Sequence, residues 1–113
     1  MTGVLPRHLY PPELRHPAVR GVFSGGCCLR GVGSVFYGKA HSHTGPEGHP
    51  FVGWICVRRA KWLDDRLLML HERAHVVTGE GHTPRWRRYL LRIGGTLRRT
   101  ASMRSFLMER KSA

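Results

Sequence analysis

No run of eighteen apolar residues occurs in this 113-residue chain, and no apolar segment opens it. Neither a membrane-spanning helix nor a secretory signal is therefore expected, and the cytoplasm is the expected location. Acidic residues are scarce, 7 against 19 Lys and Arg. Cysteine is scarcer still: Cys27, Cys28 and Cys56 show no Cys-x-x-Cys spacing, and an odd count argues against a disulfide framework. Reduced, partly buried thiols are the expected reading, with Cys56 inside an apolar strand. A chain of this length with 41% hydrophobic residues is one domain with one modest core.

Against that spare background one string carries chemistry. His71-Glu72-Arg73-Ala74-His75 places two histidines four apart, so on a helix they lie about 6 Å apart along the axis and nearly in line, within reach of one tetrahedral metal. Glu72 points to the neighbouring face and can take a proton from water without ligating the metal. Eight histidines and five glutamates in 113 residues make a chance match of about 2%. The surroundings decide the matter.

Asp64 or Asp65 supplies an N-cap, the helix runs to Thr78, and Gly79 and Gly81 stop it. Leu67, Leu70, Ala74 and Val77 form an apolar stripe with the histidines on its flank, while Arg73 falls within about 20° of Arg66 on the exposed side. His82 follows two glycines that let the chain turn back with a third imidazole, which leaves a fourth metal position open, the catalytic arrangement of zinc. Thr83-Pro84 then opens a second helix through about Ile93, ended by Gly94-Gly95. Trp86, Tyr89, Leu90 and Ile93 share one face of it and Arg85, Arg88 and Arg92 the other.

These residues resemble the SprT-like metallopeptidases and the related WLM proteases: His71-Glu72-x-x-His75, a short glycine-bearing connection, His82, and an aromatic at Trp86. The resemblance covers residues 52 to 95 and is specific at five positions. It implies that His71, His75 and His82 bind Zn2+, that Glu72 is the catalytic general base and that Trp86 packs behind the site. Relatives of that kind often have an apolar residue in place of Arg73 and Gly or Asp in place of Thr83. Metzincins fit less well, since their third His comes where this chain has Gly81.

Upstream the hydrophobic period changes. Residues 34–41 and 51–58 read as two strands joined by a loop with Gly45, Pro46, Gly48 and Pro50. An exposed strand edge beside a metal helix can hold an extended substrate through backbone hydrogen bonds. Pro6, Pro11, Pro12 and Pro17 predict an irregular or partly disordered lead over residues 1–30 with one short helical turn. His41, His43 and His49 read as solvated or substrate-contacting histidines rather than a second metal cluster, since no carboxylate or cysteine accompanies them in sequence.

Residues 83–113 hold eight Arg and one Lys against Glu109 alone. Such density attracts polyanions, nucleic acid first among them, and Arg85, Arg88, Arg92, Arg98 and Arg99 are the candidate contacts. The competing explanation is a bias toward Arg, 16 against 3 Lys, on a solvated face. Residues 96–108 read as a final amphipathic helix or tail.

The expectation is a small α+β zincin-like domain, with a core over residues 31–95 in which an antiparallel strand pair packs on the metal helix and the helix after it. Residues 96–113 form its basic tail. Its expected activity is zinc-dependent hydrolysis of peptide bonds in a protein or peptide substrate, possible DNA or another polyanion being a second partner and membranes none. Tyr89, Arg85 and His43 are candidate oxyanion donors. Two rivals stand beside it: a basic nucleic-acid-binding module with a structural zinc, and a metal-dependent regulatory protease with one partner substrate.

Overall fold

Helix boundaries written in short-range chemistry come out where the residues put them. In a computed structural model, which describes residues 3–28, 39–44 and 50–97, helix α1 spans Arg66–Thr78 and helix α2 spans Pro84–Arg92. Of the two candidate caps for α1, Asp65 is the one used, its carboxylate accepting from the Leu68 N–H at 3.1 Å. Gly79 ends α1 at φ 68°, where its N–H returns to the His75 carbonyl at 2.8 Å. Thr83 caps α2 by accepting from the Trp86 N–H at 3.3 Å, and Pro84 takes the first position, where its missing N–H costs no bond.

Strands β1 (Gly3–Val4), β2 (Gly21–Ser24), β3 (Ala40–Ser42) and β4 (Trp54–Val57) make one mixed sheet in the order β1-β2-β4-β3. The expected antiparallel pair is present as β3 and β4, in the register Ala40↔Val57, His41↔Cys56, Ser42↔Ile55. It is shorter than expected and shifted. Its first strand begins at Ala40, while residues 34–38 lie outside the described residues.

The lead expected to be irregular supplies two of the four strands. β2 lies parallel to β4 near the middle of the sheet, and β1 lies antiparallel to β2 on its other side. The prolines that argued against structure instead begin 3-10 turns at Arg7–Leu9 and Pro12–Leu14, where a fixed φ suits the first position. Those turns bury Tyr10 and Leu14.

Why the chain accepts this topology is visible in its core. Leu5, Tyr10, Leu14 and Val19 from the lead, Val22 of β2, Ala40 of β3, and Ile55 and Val57 of β4 pack on Leu68 and Met69 of α1. On its other flank α1 gives Leu70 and Ala74 to Trp86 and Leu90 of α2. The stripe of Leu67, Leu70, Ala74 and Val77 expected for α1 is therefore corrected: Leu68 to Glu72 are buried in succession, and Leu67 and Val77 only partly. A helix held between a sheet and a second helix buries most of its circumference, not one stripe. Arg73 is likewise not on the most exposed side, since its Nε donates to the Tyr89 hydroxyl at 3.0 Å.

Gly21 faces Trp54 across the β2–β4 register, and a Cβ there would overlap the indole. No helix among the described residues is long and apolar enough to cross a membrane.

Ile55 is fully buried on β4, the strand to which both β2 and β3 pair. Ile55→Ala is expected to cost about 2–5 kcal/mol in urea unfolding of the whole chain. A loss under about 1 kcal/mol would mean that the sheet does not pack on α1 as described.

Candidate metal centre

Burial of α1 on two flanks fixes which side chains its middle turns present. His71 and Glu72 are each 2% exposed, and His75 stands one turn on from His71. The chain leaves the helix at Gly79, and residues 79–82 form a pinned loop. The Glu80 carbonyl accepts from His75 Nδ1 at 2.9 Å, the Glu80 N–H donates to Thr78 Oγ1 at 3.3 Å, and the Thr83 hydroxyl and Arg85 guanidinium both donate to the Glu80 carboxylate. Those two donors hold the Glu80 carboxyl below its ordinary pKa. The loop delivers His82 to the other two histidines.

The three imidazoles converge. His71 Nε2 lies 3.1 Å from His75 Nε2 and 3.4 Å from His82 Nε2, and all three ligand atoms fall within 4.8 Å of one another. Because the Glu80 carbonyl can only accept, His75 carries its proton on Nδ1 and turns the lone pair of Nε2 inward. His71 Nε2 faces two nitrogens at once, and a single N–H can serve only one of them. One ion at the centre answers all three. Metal–nitrogen bonds of about 2.0–2.1 Å in a tetrahedron put ligand nitrogens about 3.3–3.4 Å apart, close to the 3.1 and 3.4 Å that separate His71 Nε2 from the other two.

Trp86 forms the floor. Its ring centroid is 5.0 Å from His71, 5.1 Å from His75 with the planes 20° apart, and 4.7 Å from His82, and its Nε1–H donates to the His71 carbonyl at 3.4 Å. It is wholly buried.

Glu72 sits beside the triad and is not part of it. Ser42 of β3 hydrogen-bonds its carboxyl, yet burial dominates and pushes the pKa up to about 8. Burial, with the neighbouring imidazoles adding to it, drives His71 far below its ordinary value; burial, partly opposed by the Glu80 carbonyl and reinforced by His82, takes His75 to about 4. His71 and His75 are thus neutral at neutral pH, the form that ligates. A cation among them would favour ionised Glu72 and lower its pKa.

A cleft of about 250 Å³ opens over His71, Glu72, His75 and His82, with Ser42 and Thr44 on its far wall. None of the three candidate oxyanion donors lines it. Arg85 is engaged with Glu80 at 2.9 Å, and Tyr89 lines a separate cleft with Val77, Thr78, Arg85, Arg88 and Arg92. His43 has gone to another cluster. His41 does line the metal cleft, with its pKa lowered to about 4 by burial and then by His43.

The reading that no cysteine accompanies His43 is corrected by the fold. Cys27, Cys28, His43 and Cys56 bring their ligand atoms within 4.8 Å of one another, so they too could hold a metal ion. Sequence spacing hid this, because the four residues come from separate strands and the turns that follow them. Of the five arginines, Arg85, Arg88 and Arg92 share the exposed face of α2 as expected, whereas Arg98, Arg99, His49 and the expected tail helix lie outside the described residues.

Comparison with family models, with curated proteins and with solved structures finds no match in any of the three. The likeness to SprT-like metallopeptidases accordingly rests on the residues of α1, the 79–82 loop and Trp86.

The shifted groups give metal-free protein a two-sided pH dependence. Glu72 has a raised pKa, so its contribution is full below its ordinary 4.5 and is lost as pH rises through about 8. His75 has a depressed pKa, so its contribution is present above 6.5 and is lost as pH falls through about 4. Burial depresses His71 as well, so below pH 6.5 the two imidazoles together outweigh Glu72; thermal melts of chelator-treated protein should therefore decline on both sides of pH 6.5, and Glu72→Gln should flatten the alkaline limb. An alkaline limb unchanged in that variant would show that Glu72 does not hold its proton in the folded state.

Proposed function

We propose that this protein is a zinc-dependent metallopeptidase of zincin type, resembling the SprT-like proteases. One observation carries the reading: three histidine nitrogens converge at tetrahedral spacing beside a buried carboxylate that is not among them. Three protein ligands leave a fourth position open to the cleft, which separates a catalytic set from a structural one. His71, His75 and His82 would hold the zinc, which would supply a Lewis acid for a scissile carbonyl and lower the pKa of water toward about 7.

The chain's own groups do the rest. Glu72 takes a proton from the water whose oxygen bonds the scissile carbonyl carbon and returns it to the amine that leaves as the C–N bond breaks, while the Ser42 hydrogen bond orients the carboxyl. Trp86 and the Glu80 carbonyl hold the imidazoles in orientation. An extended peptide suits the wall formed by β3, the last strand in the sheet order. The Lys39 carbonyl accepts from the Arg58 N–H just past β4, and the His43 N–H donates to the Trp54 carbonyl of β4. By alternation the backbone groups of Ala40, Ser42 and Thr44 turn outward, and nothing among the described residues pairs with that edge.

Glu72→Gln should retain zinc and lose hydrolysis of a denatured protein substrate by at least about 100-fold, because general-base catalysis contributes roughly that much. His75→Ala should lose the metal as well as the activity. Wild-type turnover by the Gln variant would remove Glu72 from the mechanism. A variant that still bound its partners at full strength while no form of the protein cleaved anything would favour a binding module with structural zinc.

The arginine face of α2 adds a second element to the proposal, contact with DNA or another polyanion that would bring the peptidase to proteins bound there. Its support is the cleft of about 460 Å³ lined by Arg85, Arg88 and Arg92. Arg88→Glu with Arg92→Glu should weaken DNA binding and lower the log–log salt slope by about one unit for each phosphate-binding arginine replaced. Cleavage of a short free peptide should be unaffected. No binding of wild-type protein at low salt would leave the arginines as a solvated face.

A further inference from the structure

The sheet has two faces, and only one is accounted for by α1. Val22, Ala40, Ile55 and Val57 pack toward that helix, whereas Phe23 and Cys56, which alternate with them along β2 and β4, are buried but belong to neither apolar cluster. Where Cys56 turns away from α1, two further cysteines and a histidine meet it. Cys27 and Cys28 arrive from the end of β2 through Gly25 and Gly26, whose φ values are 87° and 155°. His43 follows β3 directly. Because β4 runs between β2 and β3, its central cysteine has one strand's ligands on either side.

His43 Nε2 is 3.3 Å from Cys28 Sγ, 3.5 Å from Cys56 Sγ and 3.7 Å from Cys27 Sγ. A ring nitrogen offers one lone pair or one N–H, so three simultaneous contacts at this distance are not three hydrogen bonds. They are what ligands around a shared ion look like. Bonds of about 2.3 Å to sulfur and 2.0–2.1 Å to nitrogen in a tetrahedron place S and N about 3.5–3.6 Å apart. The Cys28 N–H also points to Cys56 Sγ at 3.3 Å, an amide donated to sulfur of the kind that supports a thiolate ligand. No disulfide joins any of the three cysteines.

We propose that Cys27, Cys28, His43 and Cys56 form a second metal site, a closed Cys3His zinc site with a structural role. Soft thiolates with one imidazole at tetrahedral spacing select zinc, and four protein ligands leave no position for substrate. The site ties the ends of β2 and β3 to the middle of β4. It thereby fixes the register that places Ser42 against Glu72, since a slip of one residue would turn Ser42 to the opposite face. For a domain of this size, such a tie supplies on the second face of the sheet what a helix supplies on the first. The inference stands apart from the peptidase reading, for it needs only the cysteine cluster.

The test uses the whole chain, purified under reducing conditions and loaded with metal. Elemental analysis of the zinc form should give two ions per chain, and His71→Ala should give one. With cobalt(II) in place of zinc, wild type and His71→Ala should both show thiolate-to-cobalt charge-transfer absorption in the near ultraviolet, which the all-histidine site cannot produce. Cys28→Ser should lose that band while retaining the metal of the histidine triad. In the zinc form the three thiols should resist a thiol reagent until a chelator is added. Cobalt-loaded wild type without the charge-transfer band would overturn the proposal whatever becomes of the Cys28→Ser variant, and so would three thiols that react at once in the zinc form. Absence of peptidase activity in wild type that shows the charge-transfer band would overturn the peptidase reading and leave the cysteine site standing, because the band reports sulfur ligation.

Discussion

Burial of α1 on two sides is the constraint from which the rest follows. Leu68 and Met69 commit one flank to the sheet, and Leu70 and Ala74 commit the other to Trp86 and Leu90. With both flanks taken, the next positions on the helix can only point along the seam between its partners. His71 and Glu72 occupy that seam. Their desolvation is therefore a product of packing, and it has chemical effect: it favours the neutral forms of both imidazole and carboxyl. The same packing that holds the domain together thus sets the protonation of both groups.

Two different devices cover the two faces of the sheet. The α1 face is closed by apolar area, a non-directional force that tolerates small shifts. The other face gathers three sulfurs and one imidazole around a point, and ligand geometry tolerates little. A single position, Ser42, depends on both, since the chain from β3 onward carries Ala40 in the apolar core, Ser42 against Glu72 and His43 in the cysteine cluster within four residues.

What was legible in the sequence follows the range of the interactions involved. Asp65, Gly79, Thr83 and Pro84 act on backbone groups within four residues, and each stands where its chemistry predicts. His71, Glu72, His75, His82 and Trp86 were legible for the same reason, being joined by one helix, one short loop and the first turn of the next. β2 was not, because Gly-Val-Phe-Ser shows no decisive period and its partner β4 lies some thirty residues on, in a parallel pairing that no local signal announces. Cys27, Cys28, His43 and Cys56 escaped for the same cause. Their spacing carries no motif, and only the strand order makes them neighbours. Arg73 was misplaced by a wheel drawn for a helix with one buried face, when α2 covers the second and offers the Tyr89 hydroxyl.

Charge is separated in this chain by two different mechanisms, and the separation bears on how a candidate cation site can exist in a protein of net charge +12. Histidine can shed its proton, and burial makes it do so; arginine cannot, so it must be kept away by position. The period of α2 achieves this, turning Trp86 and Leu90 to α1 and Arg85, Arg88 and Arg92 to solvent. Among the described residues no Lys or Arg lines the cleft over the triad, and Glu72 is the one carboxyl there. The width of one helix thus divides a surface suited to anions from a cleft suited to a cation. Since the Debye length at physiological salt is about 8 Å, comparable to that width, the positive field of the arginines reaches the triad on the far side of the helix only weakly.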